Sequence, residues 1–502
     1  MNFGQARVRL VEAGAVIAAC AFVAGCGNSY RPVVTPINPT GPAAQPSAYA
    51  VVISAPSPTT AGIATVIDYS GDTVLAQAPI GLGPKAFVLD ELGADGYTIN
   101  SDGTLTNFPV SSDLQAKQVL YTTLPATAQP VNMYAPSSGL WAADETGNIV
   151  DYFNSSPETF VLAIPVAQTP VLVVGTGSTQ GQRNYVVSDN FVDPTISKGV
   201  NGVTCNIAPR SAPTGLITPI ETSSNSPDTA IPVGKCPVYA IESSDTRRIF
   251  VLNRGDDTVT VVNGQNNSLD SCTGLVNQNG QPITCHPTLP LSLSAVTATG
   301  ITPPNGTAGM TNTAGPVYAE YSSITNQLVV ANYDAGTVSI IDVSLDEYGN
   351  DSSTFGTTYT VPVGTNPASV TVLADGSRAY VANQSDGTVS IVNMSSHTLE
   401  KVLPVTGHPR TVVSTQNSLY GKVYVASPDS SDVTIIRTDQ DIISTSILVQ
   451  GNAIDVRTTS PDASSSNVNT VSRLPGAGQP CFLAPSTFTP ASVSDCQLQQ
   501  VP

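Results

Sequence analysis

Between residues 316 and 450 the chain repeats one order of apolar and polar positions about every forty residues. The unit 366–407 has the sequence NPASVTVLADGSRAYVANQSDGTVSIVNMSSHTLEKVLPVTG. In it AYVAN is almost continuously apolar, as expected of a strand buried on both faces, whereas TVSIVN alternates with a period of two. The pattern predicts four short antiparallel strands per unit, between an opening proline and a closing glycine.

Turn residues mark the boundaries of these strands. Asp386-Gly387 lies between the second and third strands, where a tight hairpin requires positive φ, and Gly336 holds the matching place one unit earlier. Pro367 and Pro409 stand at strand starts, where a missing N–H is tolerated. Four antiparallel strands in forty-odd residues predict one blade of a β-propeller.

Two of these segments resemble a known repeat. Residues 380–383 (YVAN) and 424–427 (YVAS), each followed by an alternating strand, resemble the YVTN family of β-propeller repeats. Residues 250–253 and 329–332 match more loosely, and the resemblance extends over 237–450. It implies an all-β propeller of four-stranded blades and no particular activity.

A count of blade openings predicts the size of the ring. Opening prolines are assigned at Pro84, Pro130, Pro170, Pro237, Pro316, Pro367 and Pro409. Residues 453–456 form an eighth opening strand without a proline, while residues 48–80 supply three strands and no opening strand. We therefore expect residues 453–458 to complete that blade, so that the two ends of the chain close the ring. The count gives eight blades, and seven, commoner in the resembled family, is the alternative.

The amino-acid composition indicates the boundaries of the propeller and of the segments outside it. Residues 26–47 form a Pro-rich spacer, and residues 48–459 form the propeller. Insertions near 192–230 and 264–312 are rich in Asn, Thr, Pro and Gly, and we expect surface loops there. Residues 460–502 form an irregular tail that contains a cysteine pair.

Residues 1–25 have the organisation of a lipoprotein signal peptide. Two arginines precede an apolar stretch, 13–24, that is too short to span a membrane. The end of this stretch, Val23-Ala24-Gly25-Cys26, resembles the lipobox of bacterial lipoproteins. The resemblance implies cleavage before Cys26 and a diacylglyceryl thioether on its sulfur. An ordinary secretory signal is the alternative.

A lipidated Cys26 would place the protein in the cell envelope, since two or three acyl chains hold a protein on a membrane far better than one. Gly27 follows the cysteine, at the place where the enterobacterial inner-membrane retention signal is aspartate. We therefore expect the protein to be anchored in the outer membrane, on its periplasmic or its surface face. The lipid anchor makes the membrane itself the expected partner.

Net charge excludes some partners. The chain has a formal charge of −18, and only 11% of its residues are charged. An acidic surface argues against nucleic acid, whose phosphates need lysine and arginine, and against electrostatic adhesion to anionic lipid. No run of twenty apolar residues occurs, so no membrane-spanning helix is expected.

Six cysteines remain outside the signal and the anchor, an even number that is typical of disulfides in an exported chain. Fifteen connectivities are possible. The disulfide candidates, in the pairing that closes the shortest loops, are Cys272 with Cys285, Cys481 with Cys496, and Cys205 with Cys236.

Reactive motifs are missing. No phosphate-binding loop, nucleophile elbow or haem-attachment motif is present, so no cofactor and no catalytic residue is predicted. His286, His397 and His408 form no metal-binding pair. We expect His286 to be a solvated loop group, and His397 and His408 to be structural or exposed. Trp141 lies in a predicted strand and is expected to pack in the core.

Carboxylates were the remaining candidates for chemistry. Asp346, Glu347 and Asp351 cluster in one loop, but their spacing does not match an EF-hand, and a solvated turn without metal is the preferred interpretation. Asp256 and Asp386 occupy the same hairpin position in different blades, which favours turn chemistry over catalysis.

These observations favour a binding or scaffold module for a protein or small ligand. Since propeller enzymes include lactone hydrolases, the alternative is such an enzyme, with a carboxylate and amide metal site at the channel mouth. An envelope protein that adheres through its loop insertions is a third interpretation. Three or more converging carboxylates in the channel would favour the enzyme, whereas a wall of Thr, Ser and Val would favour binding.

Overall fold

The structure is a computed structural model and describes residues 48–459, except 129, 137–138, 156–157, 176–182, 191–212, 273–275, 277–279, 281, 292–312 and 416. In this part of the chain, 34 strands form eight antiparallel sheets, with a three-residue 3-10 helix at Ala116–Gln118. None of the described residues belongs to a helix long and apolar enough to cross a membrane. The predicted all-β propeller is confirmed, with eight blades and not seven.

The first four blades follow one another along the chain. Blade 1 contains β1 (Tyr49–Ala55), β2 (Ala61–Asp68), β3 (Thr73–Leu82) and the last described strand, β34 (Asn452–Thr458). Blade 2 contains β4 (Pro84–Leu89), β5 (Asp95–Asn100), β6 (Thr104–Pro109) and β7 (Leu120–Thr123). Blade 3 contains β8 (Pro130–Tyr134), β9 (Leu140–Asp144), β10 (Ile149–Ser155) and β11 (Glu158–Pro165). Blade 4 contains β12 (Pro170–Val174), β13 (Arg183–Ser188), β14 (Thr214–Glu221), β15 (Ser226–Pro227) and β16 (Ile231–Lys235).

The second four blades have the same order of strands. Blade 5 contains β17 (Pro237–Glu242), β18 (Arg248–Asn253), β19 (Thr258–Asn263), β20 (Ser268–Leu269) and β21 (Thr288–Pro290). Blade 6 contains β22 (Pro316–Ser322), β23 (Gln327–Asn332), β24 (Thr337–Asp342) and β25 (Thr358–Pro362). Blade 7 contains β26 (Pro367–Val372), β27 (Arg378–Asn383), β28 (Thr388–Asn393) and β29 (Thr398–Pro404). Blade 8 contains β30 (Thr411–Ser414), β31 (Lys422–Ala426), β32 (Asp432–Arg437) and β33 (Ile442–Leu448).

One strand of each blade lies innermost, and these eight strands contact one another in a closed cycle around a central channel. In ring order they are β34, β4, β8, β12, β17, β22, β26 and β30. Apolar side chains fill the space between neighbouring blades. Val51 and Ile53 of blade 1, for example, pack with Phe87 and Phe108 of blade 2. Strands covered by a neighbouring blade on each side need apolar residues on both faces, which explains the continuous apolar segments of the sequence.

The ring closes through blade 1, as the sequence predicts. β1 and β34 pair antiparallel in a register that places Ala50 opposite Thr458 and Val52 opposite Val456. Val52 and Val456 are fully buried. The first and last described strands therefore belong to one sheet, and neither the start nor the end of the propeller leaves an open inner edge.

A buried asparagine explains the repeated Asn at the end of the second strand. In blade 7, Nδ2 of Asn383 donates to Oγ1 of Thr388 at 3.0 Å and to Oγ of Ser390 at 2.9 Å. The same clamp is made by Asn100, Asn253 and Asn332. A Cβ at Gly364 would lie 2.6 Å from Cγ of Asn383, so the closing glycine leaves room for the clamp. The repeated asparagine and the closing glycine therefore have a structural role in each of these blades.

Both predicted insertions contain strands. Strand β14, residues 214–221, lies inside the predicted 192–230 insertion. Strand β16, residues 231–235, follows directly after it. β21 lies inside the predicted 264–312 insertion. These segments are too short or too rich in proline for their pattern of apolar and polar residues to indicate a strand.

Prolines end the outermost strands of four blades, where an edge is open to solvent. These residues are Pro165, Pro290, Pro362 and Pro404, each paired with the first residue of the third strand of its blade. Blade 8 has Leu448 at the matching place, paired with Asp432 and largely exposed. Because a proline fits there in other blades, the backbone N–H of this position is not needed by the sheet.

Leu448→Pro is therefore expected to fold normally. Its free energy of unfolding should stay within about 0.5 kcal/mol of the wild-type value. Ile447→Pro, one residue earlier and buried, is expected to lose about 3 kcal/mol or more because it removes a ladder hydrogen bond. Urea denaturation of both variants tests this, and equal losses would contradict the assignment of the open edge.

Candidate functional site

Hydroxyl side chains join the inner strands of blades 7, 8 and 1 along the channel wall. Oγ1 of Thr371 donates to Oγ of Ser414 at 3.0 Å, and Oγ of Ser369 accepts from the backbone N–H of Val412 at 3.1 Å. Oγ1 of Thr458 donates to the carbonyl oxygen of Ser414 at 2.9 Å. This part of the wall is hydroxyl-rich and tightly connected.

Arg410 lies just before the inner strand of blade 8, where blade 7 has Ala368 after its opening proline. Its Nη2 donates to the carbonyl oxygen of Ile454 in blade 1 at 2.9 Å. The side chain is buried, and within the described part of the chain its Nε and Nη1 have no hydrogen-bond partner. Burial lowers the pKa of Arg410 to about 10, an effect that Asp455 opposes and Arg457 reinforces.

Arg457 lies on β34, two residues after the fully buried Asp455. Its Nη2 is 3.5 Å from Oδ2 of Asp455, and the Tyr318 phenol on the inner strand of blade 6 lies near its guanidinium. Burial alone would lower the pKa of Arg457, but Asp455 and the phenols of Tyr318 and Tyr239 outweigh burial and raise it. The Nε and Nη1 atoms again lack a partner among the described residues.

Two tyrosines face these arginines from blades 5 and 6. The rings of Tyr239 and Tyr318 have centroids 4.7 Å apart, with their planes tilted by 34°. Burial raises the pKa of both phenols, so both are neutral at neutral pH, and the nearby carboxylate of Glu320 contributes to the shift. The arginines, Asp455, the tyrosines and Glu320 are called the channel cluster below. It lies inside the ring, between blades 8 and 1 on one side and blades 5 and 6 on the other.

A second cluster joins blades 5 and 6 away from the channel. Nη2 of Arg248 lies 3.2 Å from Oδ1 of Asp270 and 3.2 Å from Oδ1 of Asp351. Nδ1 of His286 is 2.8 Å from the other oxygen of Asp351, and its ring stacks on Phe355. Burial raises the pKa of Asp270 to about 6, with Arg248 opposing and Asp351 adding to the shift. Within the described ranges, Asp270, Cys285 and Asp351 are the only three metal-ligating side chains grouped within 4.8 Å.

This second cluster corrects two interpretations of the sequence. Asp351 is buried in an ion pair and is not part of a solvated turn, and His286 is half-buried against it. The partners lie in different blades, so no local pattern indicated them. The cluster is a poor metal site, because both carboxylates already pair with Arg248 and the sulfur of Cys285 is bonded to Cys272.

The other predicted turn residues have structural roles. Asp346 accepts from the backbone N–H groups of Tyr348 and Asn350, both at 2.9 Å, at the exposed end of its loop. Carboxylates at the hairpin position each accept from a backbone N–H of the segment that enters the blade. These are Asp102, Asp256, Asp386 and Asp429, with Leu82, Lys235, Thr365 and His408 as donors. Their repetition has the predicted explanation, turn chemistry.

The remaining aromatic and histidine candidates pack against neighbours. His397 has positive φ in a turn and stacks on Tyr359, with ring centroids 3.7 Å apart. Nδ1 of His408 contacts a carboxylate oxygen of Asp429 at 2.5 Å. Trp141 is buried on β9 and packs against Tyr152.

Blade 3 departs from the asparagine clamp. Asp144 occupies the place of Asn383, and Asp151 occupies the place of Ser390. Both carboxylates are buried, and Oδ2 of Asp151 has no hydrogen-bond partner in the described part of the chain. Burial raises the pKa of Asp151 to about 7, and the charge of Asp144 adds to the shift.

The structure contains the predicted Cys272–Cys285 disulfide, with Cα atoms 5.6 Å apart. Cys236, buried at the start of blade 5, is also disulfide-bonded. The remaining predicted sites lie outside the described residues, and they are Cys26, Cys205, Cys481 and Cys496.

Comparisons with known proteins show the fold. No protein-family model and no curated protein matches the chain. The crystal structure of AztD from Citrobacter koseri is 12% identical, with a TM-score of 0.53 over 82% of this chain and 97% of that one. The dihydro-heme d1 dehydrogenase NirN in complex with DHE is 12% identical, with a TM-score of 0.52 over 83% of this chain and 76% of that one. At such identities the likeness establishes a shared β-propeller fold and no shared activity.

The channel cluster was not found from the sequence. Its members lie on inner strands, at places where most other blades have small or apolar residues. A comparison of blades position by position would have shown the signal, since Arg410 replaces Ala368 directly after the opening proline.

Proposed function

We propose that this chain is a lipid-anchored protein of the cell envelope that binds a small ligand in its propeller channel. The lipobox-like sequence that ends at Cys26 and the Pro-rich segment after it support the anchor. The YVTN-like repeats and the eight-bladed ring support a rigid platform that presents side chains from several blades. The anchor would be in the outer membrane.

The composition of the channel wall is the observation on which the binding function rests. The guanidinium groups of the channel cluster supply hydrogen-bond donors that no described residue accepts from. The hydroxyls of Thr371, Ser414 and Thr458 donate within the wall and hold its inner strands together. The inner-strand carboxylates Glu242, Glu320 and Asp455 do not converge, because no group of three within 4.8 Å includes them in the ranges described. A wall rich in Ser and Thr is the composition expected of a binding channel, and it supports binding over the lactone hydrolase alternative.

One experiment tests both halves of this proposal. Full-length wild-type protein, Cys26→Ser and the control Cys20→Ser are expressed in a Gram-negative host with a clickable fatty acid. Wild type and Cys20→Ser are expected to be labelled and recovered with outer membranes, and Cys26→Ser to be unlabelled and soluble. Native mass spectrometry of each purified protein is expected to show one retained solute of constant mass.

The two halves can fail separately. Label on Cys26→Ser would refute the anchor but leave the binding function standing. A stoichiometric metal with no organic solute would instead support the enzyme alternative.

A further inference from the structure

Four donor nitrogens in the channel cluster lack acceptors. They are Nε and Nη1 of Arg410 and Nε and Nη1 of Arg457, within the described part of the chain. Both side chains are at most 4% exposed. A buried donor that stays unpaired costs about 1–3 kcal/mol, so folded proteins rarely keep several in one place without something to accept from them.

The arginine side of the cluster has an excess of positive charge. Arg410 and Arg457 share one carboxylate neighbour, Asp455, which shifts the pKa of both guanidinium groups. Even so, Asp455 lies 3.5 Å from Arg457, and its Oδ1 accepts from the backbone N–H of Val456. Two cations and one anion leave a local charge of about +1, inside a chain whose total is −18.

The opposite side of the channel restricts what an anion there could be. The phenols of Tyr239 and Tyr318 are neutral, and Glu320 is close enough to raise the pKa of both. Val238 and Val317 are buried on the same inner strands. A second negative group would be repelled by Glu320, whereas an apolar body would contact the two tyrosine rings.

We propose that the channel cluster binds a small organic monocarboxylate, whose oxygens accept hydrogen bonds from Arg410 and Arg457. Its apolar end points toward Tyr239 and Tyr318. This proposal depends on the proposed binding function and names the ligand class. A dianion such as phosphate or succinate fits less well, because the local charge is about +1 and Glu320 faces the second charge.

Isothermal titration of the full-length protein in chloride-free buffer tests the ligand class. The probes are acetate, propionate, succinate, phosphate and the neutral glycerol. Propionate is expected to bind with a Kd below about 1 mM, at least tenfold more tightly than succinate or phosphate, and glycerol is expected to give no heat. A preference for phosphate, or a propionate Kd above about 10 mM, would overturn the proposal.

Variants test the residues. Arg410→Gln and Arg457→Gln are each expected to weaken propionate binding at least tenfold, and Asp455→Asn to strengthen it because it removes the competing acceptor. Arg437→Gln, which changes an exposed arginine paired with Asp439, is the matched control and should bind like wild type. Should a glutamine variant fail to fold, Arg410→Lys keeps the charge with fewer donors and should fold but bind more weakly.

The outcomes separate this inference from the binding function. A neutral or cationic solute retained by the purified protein would leave the binding function standing and refute the carboxylate. Wild-type titration behaviour in Arg410→Gln would show that the arginines have only a structural role. Absence of both a retained solute and propionate binding would refute both.

Discussion

Replacement of Val456 by aspartate is expected to prevent ring closure and to leave the chain without a cooperative unfolding transition. Val456 is fully buried on β34 and lies opposite Val52 in the pairing that joins the two ends of the propeller. An unpaired charge there would cost several kcal/mol, comparable to the whole free energy of unfolding of many domains. Because β34 is the inner strand of blade 1, its loss would also expose the apolar edges of two neighbouring blades.

The matched control is Val402→Asp, which places the same charge on the outermost strand of blade 7. Val402 is about half exposed, so the change in its free energy of unfolding should be within about 0.5 kcal/mol. Urea denaturation followed by tryptophan fluorescence and circular dichroism measures both variants. Equal unfolding midpoints for Val456→Asp and wild type would show that the end strands do not hold the ring together.

Replacement of Asp151 by serine is expected to stabilise the protein increasingly as the pH rises. The pKa of Asp151 is raised from 3.8 to about 7 in the folded chain by burial and by the charge of Asp144. Between these two values the unfolded chain loses the proton while the folded chain keeps it, so the free energy of unfolding falls by up to about 1.4 kcal/mol per pH unit. The total is roughly 4 kcal/mol at pH 7 and above.

The serine variant lacks this penalty and restores the side chain that Ser390 has in blade 7. Its advantage over wild type should be small near pH 4, grow up to pH 7 and stay constant above. Urea denaturation at pH 4.5, 6 and 8 measures the difference. Asp144→Asn is the matched variant, because its amide can donate to Asp151 as Asn383 does to Ser390, and it should show the same trend. A difference independent of pH would show that Asp151 does not titrate in this range.

Much of the fold was predictable because a propeller repeats one local pattern. The period of forty residues, the hairpin glycines and the opening prolines each report on a single blade, and the unmatched strands near residues 50 and 455 showed how the ring closes. The sequence indicates that the asparagine of the repeat ends a strand. Its hydrogen bonds to Thr388 and Ser390 depend on the three-dimensional arrangement of the side chains, which the sequence pattern does not show.

The channel cluster and the Arg248 cluster could not be predicted in the same way. Arg457 lies near Tyr318 across the ring, and His286 contacts Asp351 between two blades. These partners are far apart in sequence, so no sequence motif contains both. Their partners are set by the closure and circumference of the ring, which are non-local. What the sequence does contain is the departure of one blade from its neighbours, as at Arg410 and at Asp151.

The sharing of blade 1 between the two ends of the chain also determines the order in which the molecule can fold. The N–H of Tyr49 donates to Oγ1 of Thr459, 410 residues later. Contacts at such separation form late, since the loop entropy they cost is large. Until β34 has been synthesised, the inner edge of β1 has no strand to pair with, and a strand from a second nascent chain can pair with it instead. The last event of assembly is therefore one pairing step between the two ends of the propeller.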